Sequence, residues 1–408
     1  MNIIWRLAWR NLWRQPRRTW LTIGAMVFSN ALLVFMISIQ FSTYELMIDN
    51  TLQAFTGHLQ VQAPGYKDDQ KIRQVVPDIA ALASTLRQEL GLETVAARGA
   101  AFALASSAER SYGLQVYGIE TRFESLVSTI PGLVREGRYP TDLNAAEIVV
   151  GKVLARNLRA GLGDEITLLG GGRDGSFAAG IVTVVGIFDS GVPDIDRSIA
   201  EVPLGYFQDV FFMDGAGHQV VIAAPDLASV APLKEQVAAL IPDTLVVHDW
   251  DALQPGLRQA IQADLSSAFF MYGVLVVLVA FSVLNTQLMS VLERTHEFGI
   301  TMSLGVAPGR LGRLVFLETA LMGLVGVVLG ALGGGLITEW FGYAGFSYPG
   351  MEEMATNFNL PARFYPQTSL LTLSLGPLIV FAGGMLAAIY PALRLHRLHP
   401  VEAMRAAP

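Results

Sequence analysis

Four apolar runs organise this chain. They cover residues 19–44, 264–292, 314–340 and 369–392. Each meets the roughly 20 residues that an α-helix needs to cross a bilayer core of about 30 Å. Between the first two runs, 45–263 alternates between period 2 and period 3.6. Strand patterns at His58–Gln62 and Thr94–Leu104 flank a helical pattern at Ile79–Leu90, and strands at Gln219–Ala224 and Thr244–His248 flank a helix at Leu227–Leu240. Two β-α-β units at opposite ends of one segment predict a small α/β lobe near the membrane, built from 45–105 and 216–263. The interval 106–215 reads as an inserted β-rich lobe, with strands at Gly113–Ile119, Glu147–Val150, Glu165–Leu169 and Ile181–Phe188 and Gly170-Gly171-Gly172 in a hairpin tip. The predicted fold is an α-helical membrane protein with four transmembrane helices plus a large α+β domain of two lobes.

The segments flanking the runs carry their own patterns. Residues 1–18 place Trp5, Trp9, Leu12 and Trp13 on one helical stripe and Arg6, Arg10, Arg14 and Arg17 on another. That is the pattern of an amphipathic elbow helix lying at an interface, with aromatic rings at headgroup depth and guanidinium groups toward anionic lipid. The pair Arg17-Arg18 is not read as an export signal, because the apolar run after it is too long and lacks a small-residue cleavage site. Between the second and third spans, 293–313 is a well-charged island. Glu293, Arg294 and Glu297 predict a charged helical face, while Phe298, Met302 and Leu304 supply an apolar one. Gly305 ends that helix and Pro308 starts the next. In the third span Gly326, Gly330 and Gly334 recur every four residues, a stripe that permits close helix approach. The fourth span carries Gly376-Pro377 and Gly383-Gly384 as kink points. The aromatic-rich segment 341–368 is predicted to cap the outer surface, and 393–408 is a short tail.

Composition agrees with a membrane protein: 52% of the 408 residues are hydrophobic and only 15% charged, with a mean hydropathy of +0.44. Charge then orients it. Residues 1–18 hold five Arg and no acid, whereas 45–263 holds 16 Lys and Arg against 27 Asp and Glu. The positive-inside rule puts both termini and 293–313 in the cytoplasm, with 45–263 outside.

Much chemistry is excluded. There is no cysteine, so neither disulfides nor thiolate metal sites. None of the four lysines lies in a G-x-x-x-x-G-K-[ST] context, so no nucleotide is bound through a P-loop. The six histidines form no H-E-x-x-H, and no G-x-S-x-G elbow occurs. The spans are nearly charge-free apart from Glu318, about one turn inside span three. An ion channel or proton-coupled transporter therefore loses its usual mark. Nothing points to nucleic acid.

The run ERTHEFGITMSLG (Glu293–Gly305) resembles the signature of FtsX-like permeases of the MacB and lipoprotein-releasing LolC/LolE type, on Glu293, Arg294, Glu297, Phe298, Gly299, Ile300, Leu304 and Gly305. Met302 departs from it, standing where the family usually carries a basic residue. The ending YPALRLHRLHPVEAMR (Tyr390–Arg405) and the phrases GRYPTD, EIVVGKVLARNL, LGDEITL and VVGIFD resemble the same family. The resemblance implies a type VII ABC permease with a MacB-like periplasmic core, in a bacterial inner membrane. Residues 293–313 would then be a cytoplasmic coupling helix, docking through Glu293, Arg294, Glu297, Phe298, Gly299, Met302, Leu304 and Gly305 on a separate ABC ATPase present in two copies. ATP and magnesium would be held there, with no cofactor, metal or catalytic group in this chain. It further implies a second permease copy or homologue, and a cargo lipoprotein or periplasmic carrier. The alternative implied by the wider family is an FtsX-type regulator that activates a cell-wall hydrolase without moving substrate. The length of the 45–263 domain favours the MacB and lipoprotein-releasing branch.

Overall fold

The computed structural model describes residues 3–347, 349–351 and 363–397. The middle of the 341–368 segment and the tail from 398, with Glu402 and Arg405, lie outside those residues. In chain order the helices α1 (Ile3–Leu12) and α2 (Pro16–Thr51) come first, and a five-residue π turn, Leu52–Thr56, leads into β1 (Leu59–Gln62). Then follow α3 (Ile79–Leu90), β2 (Val95–Ser106), β3 (Ser111–Ile119), β4 (Val134–Gly137), β5 (Glu147–Gly151), β6 (Glu165–Gly171), β7 (Phe177–Phe188), β8 (Ile199–Pro203), β9 (Gln219–Ile222), α4 (Val230–Leu240) and β10 (Val246–Asp249). The chain ends in α5 (Pro255–Glu293), α6 (Thr295–Ser303), α7 (Pro308–Ala344) and α8 (Leu370–Arg394). Two compact units result. One is built on residues up to Tyr44, Ile261–Tyr348 and Arg363 onward, the other on Glu45–Ala260.

In the helical unit, α2, α5, α7 and α8 are each long and apolar enough to cross a membrane. The first three run to 36, 39 and 37 residues, about 54 Å or more at 1.5 Å per residue, well beyond a bilayer core of about 30 Å. All three outrun the apolar patterns: α2 starts at Pro16 and continues past Tyr44 to Thr51, α5 starts at Pro255 rather than near Asp264, and α7 extends from Pro308 to Ala344 around the run 314–340. Met26, Leu33 and Ile37 of α2 bury against Val279 and Val283 of α5 and Val380 of α8.

The second unit is an α+β domain whose two lobes have separate cores. In the first, the strand order is β10-β1-β9-β2 with every neighbour antiparallel. Strands β1 and β2 therefore run parallel with β9 between them, the split β-α-β arrangement of ferredoxin-like folds. Leu59, Val61, Ile79, Leu86, Val220, Ile222, Leu233 and Val237 fill the space between this sheet and α3 and α4. The second lobe is a ring that closes on itself, β2-β3-β8-β5-β7-β6 and back to β2. A six-stranded ring leaves room for side chains and nothing else, and Ala101, Ala103 and Ala105 of β2 are small for that reason, packing inward with Leu114, Val116, Ile148, Ile166 and Val184. The twelve-residue β2 belongs to both lobes, pairing through Val95–Arg98 with β9 and through Ala103–Ser106 with β6.

Strands β4 and β8 have no counterpart in the sequence reading, because VREG and IAEVP are too short to display a period. The glycine run also divides differently: Gly170 and Gly171 are paired in β6, and the hairpin tip begins at Gly172, whose amide donates to the Ser176 carbonyl.

Candidate functional site

At the α5–α6 junction the helix breaks at Arg294 (φ −98°, ψ 10°), and α6 begins at Thr295. The period of 3.6 turns Phe298, Gly299 and Met302 inward. Phe298 and Met302 pack there with Val291, Leu311, Val315 and Leu395. Leu304 sits beyond the last turn and is 80% exposed, with Ile300 the exposed apolar residue on the helix itself. The sequence grouped Phe298, Met302 and Leu304 on one apolar face; the structure separates them, and only Leu304 faces outward. Gly305 takes φ +93°, a left-handed value that ends the segment, and Pro308 opens α7.

The charged residues are wired to α1 and the start of α2. Arg18 holds Glu293 through two 2.8 Å bonds, and Gln15 donates to the same carboxylate at 3.1 Å. Arg14 pairs with Glu297 at 3.1 Å, both half exposed, so that pair is worth at most about 1 kcal/mol. Arg294 and Glu318 form the buried counterpart. The Arg294 Nη1 lies 3.2 Å from both carboxylate oxygens, and Asn11 donates to Glu318 Oε1 at 2.8 Å. Breaking such a buried pair typically costs about 3–5 kcal/mol. A cavity of about 200 Å³ opens between these groups, lined by Arg14, Arg18, Arg294, Glu297, Glu318 and Gln287 among others. Glu318, read in the sequence as an acid about one turn inside a span, is the centre of this junction.

The residues read in the sequence as an interfacial anchor lie on the outer side of α1 and in the turn after it. Trp5, Trp9 and Trp13 are exposed, with Arg6, Arg10 and Arg14, and the Trp9 and Trp13 rings meet edge to face at 5.9 Å. Leu12 departs from the predicted stripe: with Ala8 it is buried, Leu12 against Met322 of α7. The helix stops at Leu12, so Trp13 and Arg14 belong to the turn before Pro16.

The glycine stripe of α7 lies under α2. A β-carbon at Gly326 would come within 2.7 Å of Met26 Cβ, at Gly330 within 2.3 Å of Asn30 Cβ, and at Gly334 within 2.8 Å of Val34 Cβ. The Asn30 side chain donates across the seam to the Gly326 carbonyl at 3.1 Å. A further polar clasp had no signal beyond two polar residues four apart at the end of a span. Tyr44 donates to Asp264 at 2.6 Å, Gln40 donates to Asp264 at 3.2 Å, and Tyr272 donates to Gln40 at 2.6 Å. With Thr22 and Thr286 in contact at 3.2 Å and Arg18 on Glu293, α2 and α5 are tied at both ends.

Among the described residues no three His, Asp or Glu side chains gather as a metal site. The arrangement holds α5, α6 and α7 together.

Family models match most of the chain. A family model described as MacB-like periplasmic core domain matches residues 19–240, and one described as FtsX-like permease C-terminal matches 269–400. The lipoprotein-releasing system transmembrane protein LolC of Xylella fastidiosa is 26% identical over 316 residues, covering 73% of this chain and 74% of that protein. LolC of Neisseria meningitidis is 24% identical over 324 residues, covering 74% and 75%. The crystal structure of the periplasmic region of MacB from Actinobacillus actinomycetemcomitans aligns at 14% identity with a TM-score of 0.37, over 50% of this chain and 94% of that one. With one family model covering more than half of its length and a second its C-terminal helices, the chain belongs to the FtsX-like, MacB-type family of ABC transporter permeases and is a multi-pass membrane protein.

Proposed function

We propose that this chain is the membrane subunit of an ABC assembly in which a separate ATPase hydrolyses ATP and the α+β domain moves in response. The observation that carries this reading is the junction at α6. A short helix with an exposed apolar tip at Leu304 is fixed to α5 and α7 by buried contacts, and beyond the one-residue break at Arg294 α5 runs unbroken back to Pro255. A load applied at α6 is therefore delivered to α5 rather than absorbed in a loop. The chain's sequence has no nucleotide-binding loop, so the energy source is a partner, and Glu293, Glu297, Ile300 and Leu304 are the residues placed to meet it. The assembly sits in a bacterial inner membrane with both termini and α6 in the cytoplasm and the α+β domain outside. The LolC relatives make release of a lipoprotein or lipid the favoured output, with a second permease chain and a periplasmic acceptor as further partners.

The test is purification of the tagged chain from membranes of its own host. An ATP-hydrolysing subunit is expected to co-purify, and ATP is expected to drive release of a lipid-modified protein from proteoliposomes. A chain recovered alone under conditions that preserve its fold would refute the reading.

A further inference from the structure

An α-helix ends in carbonyl groups that none of its own amides reaches. The far end of α2 is an unusual case, because the helix runs on into the π turn Leu52–Thr56, closed by the Gly57 amide on the Leu52 carbonyl at 2.8 Å. The next amide, His58, donates to Ile222 at 2.9 Å. The oxygens of Gln53, Ala54, Phe55 and Thr56 thus lack helical donors, yet each has a partner. The Thr129 amide donates to Gln53 at 2.9 Å, and the Ser128 hydroxyl to Ala54 at 3.1 Å. Arg98 Nη1 donates to Phe55 at 2.5 Å, and Gln60 Nε2 to Thr56 at 2.6 Å. Gln254, the residue before α5, donates to the Thr56 hydroxyl at 3.0 Å. The end of α2 and the start of α5 therefore share one hydrogen-bonded turn.

Arg98 is the costly member. It is fully buried, with Nε and Nη2 on the two oxygens of Glu124 at 3.1 and 2.5 Å and its guanidinium carbon 4.1 Å from the centre of the Phe55 ring. Tyr139 donates to a neighbouring buried acid, Glu201, at 2.6 Å. Burial and the charge of Glu124 push the Glu201 carboxyl up to about 8, so near neutral pH the cluster holds one cation against one anion. Apolar side chains of equal volume usually stabilise a core as well as a buried ion pair does. What they do not supply is a cation on the terminal carbonyls of a long helix, where the helix dipole also favours positive charge.

We propose that Arg98 is the positioning residue of a joint that clamps the end of α2 and the start of α5 to the two-lobed domain. Movement of those helices is then passed to the domain instead of being lost as fraying of the π turn. This deepens, and rests on, the coupling reading above.

The experiment uses the full chain in lipid nanodiscs with its ATPase. Arg98→Met alone strands Glu124 as an unpaired buried charge and is open to misfolding, so the decisive variant is Arg98→Met with Glu124→Gln, which removes both charges. We expect thermal stability near wild type together with about tenfold faster hydrogen exchange in 52–60, the loss of one charge-assisted bond. Basal ATP hydrolysis is expected to persist while ATP-driven output falls. Exchange in 52–60 unchanged from wild type would overturn the joint. Faster exchange with full output would overturn the positioning role. Failure of the ATPase to bind wild-type chain is a separate result, which would remove the coupling reading and leave the exchange comparison standing.

Discussion

Replacing Gly330 by alanine tests whether α2 is seated on the glycine stripe of α7. The added methyl group would lie 2.3 Å from Asn30 Cβ and 3.1 Å from the Val27 carbonyl. Carbon atoms at optimal contact sit about 3.5–4.0 Å apart, so the helices must part by more than 1 Å. Neither neighbour can yield, since one is a β-carbon and the other backbone. Overpacking of this kind costs about 1–3 kcal/mol. Parting also loosens Gly326 on Met26 and Gly334 on Val34, and breaks the Asn30 bond to the Gly326 carbonyl, worth about 0.6 kcal/mol in a membrane. Against this, alanine in place of glycine within a helix gains up to about 1 kcal/mol. The net expectation is a loss of about 1–3 kcal/mol. Gly333 supplies the control, because a β-carbon there meets nothing within 4 Å and only the propensity gain remains. The assay is thermal unfolding of the purified chain in detergent, followed by tryptophan fluorescence. Gly330→Ala as stable as Gly333→Ala would show that α2 does not rest on the stripe.

Four other substitutions supply three further tests. Leu304→Glu places a charge on the exposed tip beyond α6, and ATPase recovery in a pull-down is expected to fall at least about tenfold with membrane insertion normal; undiminished recovery would rule Leu304 out of the contact. Glu201 titrates near 8 in the folded chain but near about 4.3 when unfolded, so its contribution to stability is complete in acid and lost as pH rises through 8. Glu201→Gln should therefore flatten the fall in stability between pH 5 and 8 and be more stable at pH 8 by about 1–3 kcal/mol, and an unaltered slope in denaturant titrations contradicts this. Since the chain has no cysteine, Gly171→Cys should react with a membrane-impermeant thiol reagent in intact spheroplasts and Ser303→Cys only after lysis; the reverse pattern would invert the orientation.

What the sequence made legible follows from how far each signal extends. Long apolar runs display the four spans, and Ile79–Leu90 stands out because it carries several turns of one period. Single positions are harder. Arg98 sits in the small-residue run VAARGAAFALAS, where an arginine resembles a solvent-facing residue of a half-buried strand. Its partners Phe55, Glu124 and Glu201 are distant along the chain, and only the fold brings them together. Closure of the second lobe escapes notice for the same reason, since β2 shows its alternation whether its neighbour is β9 or β6. At α6 the motif picks out the segment, but the helical period decides that Phe298 and Met302 turn inward and Leu304 does not.

The central claim is that work done at α6 reaches the α+β domain along α5. Gly-Gly-Ser inserted after Gln262 interrupts α5 within Pro255–Glu293 and leaves α6 and its charged junction unchanged. The measurement is ATP-driven cargo release by the reconstituted assembly, alongside its rate of ATP hydrolysis. Hydrolysis retained with release abolished is the predicted result; full release through the flexible insert would contradict transmission along α5.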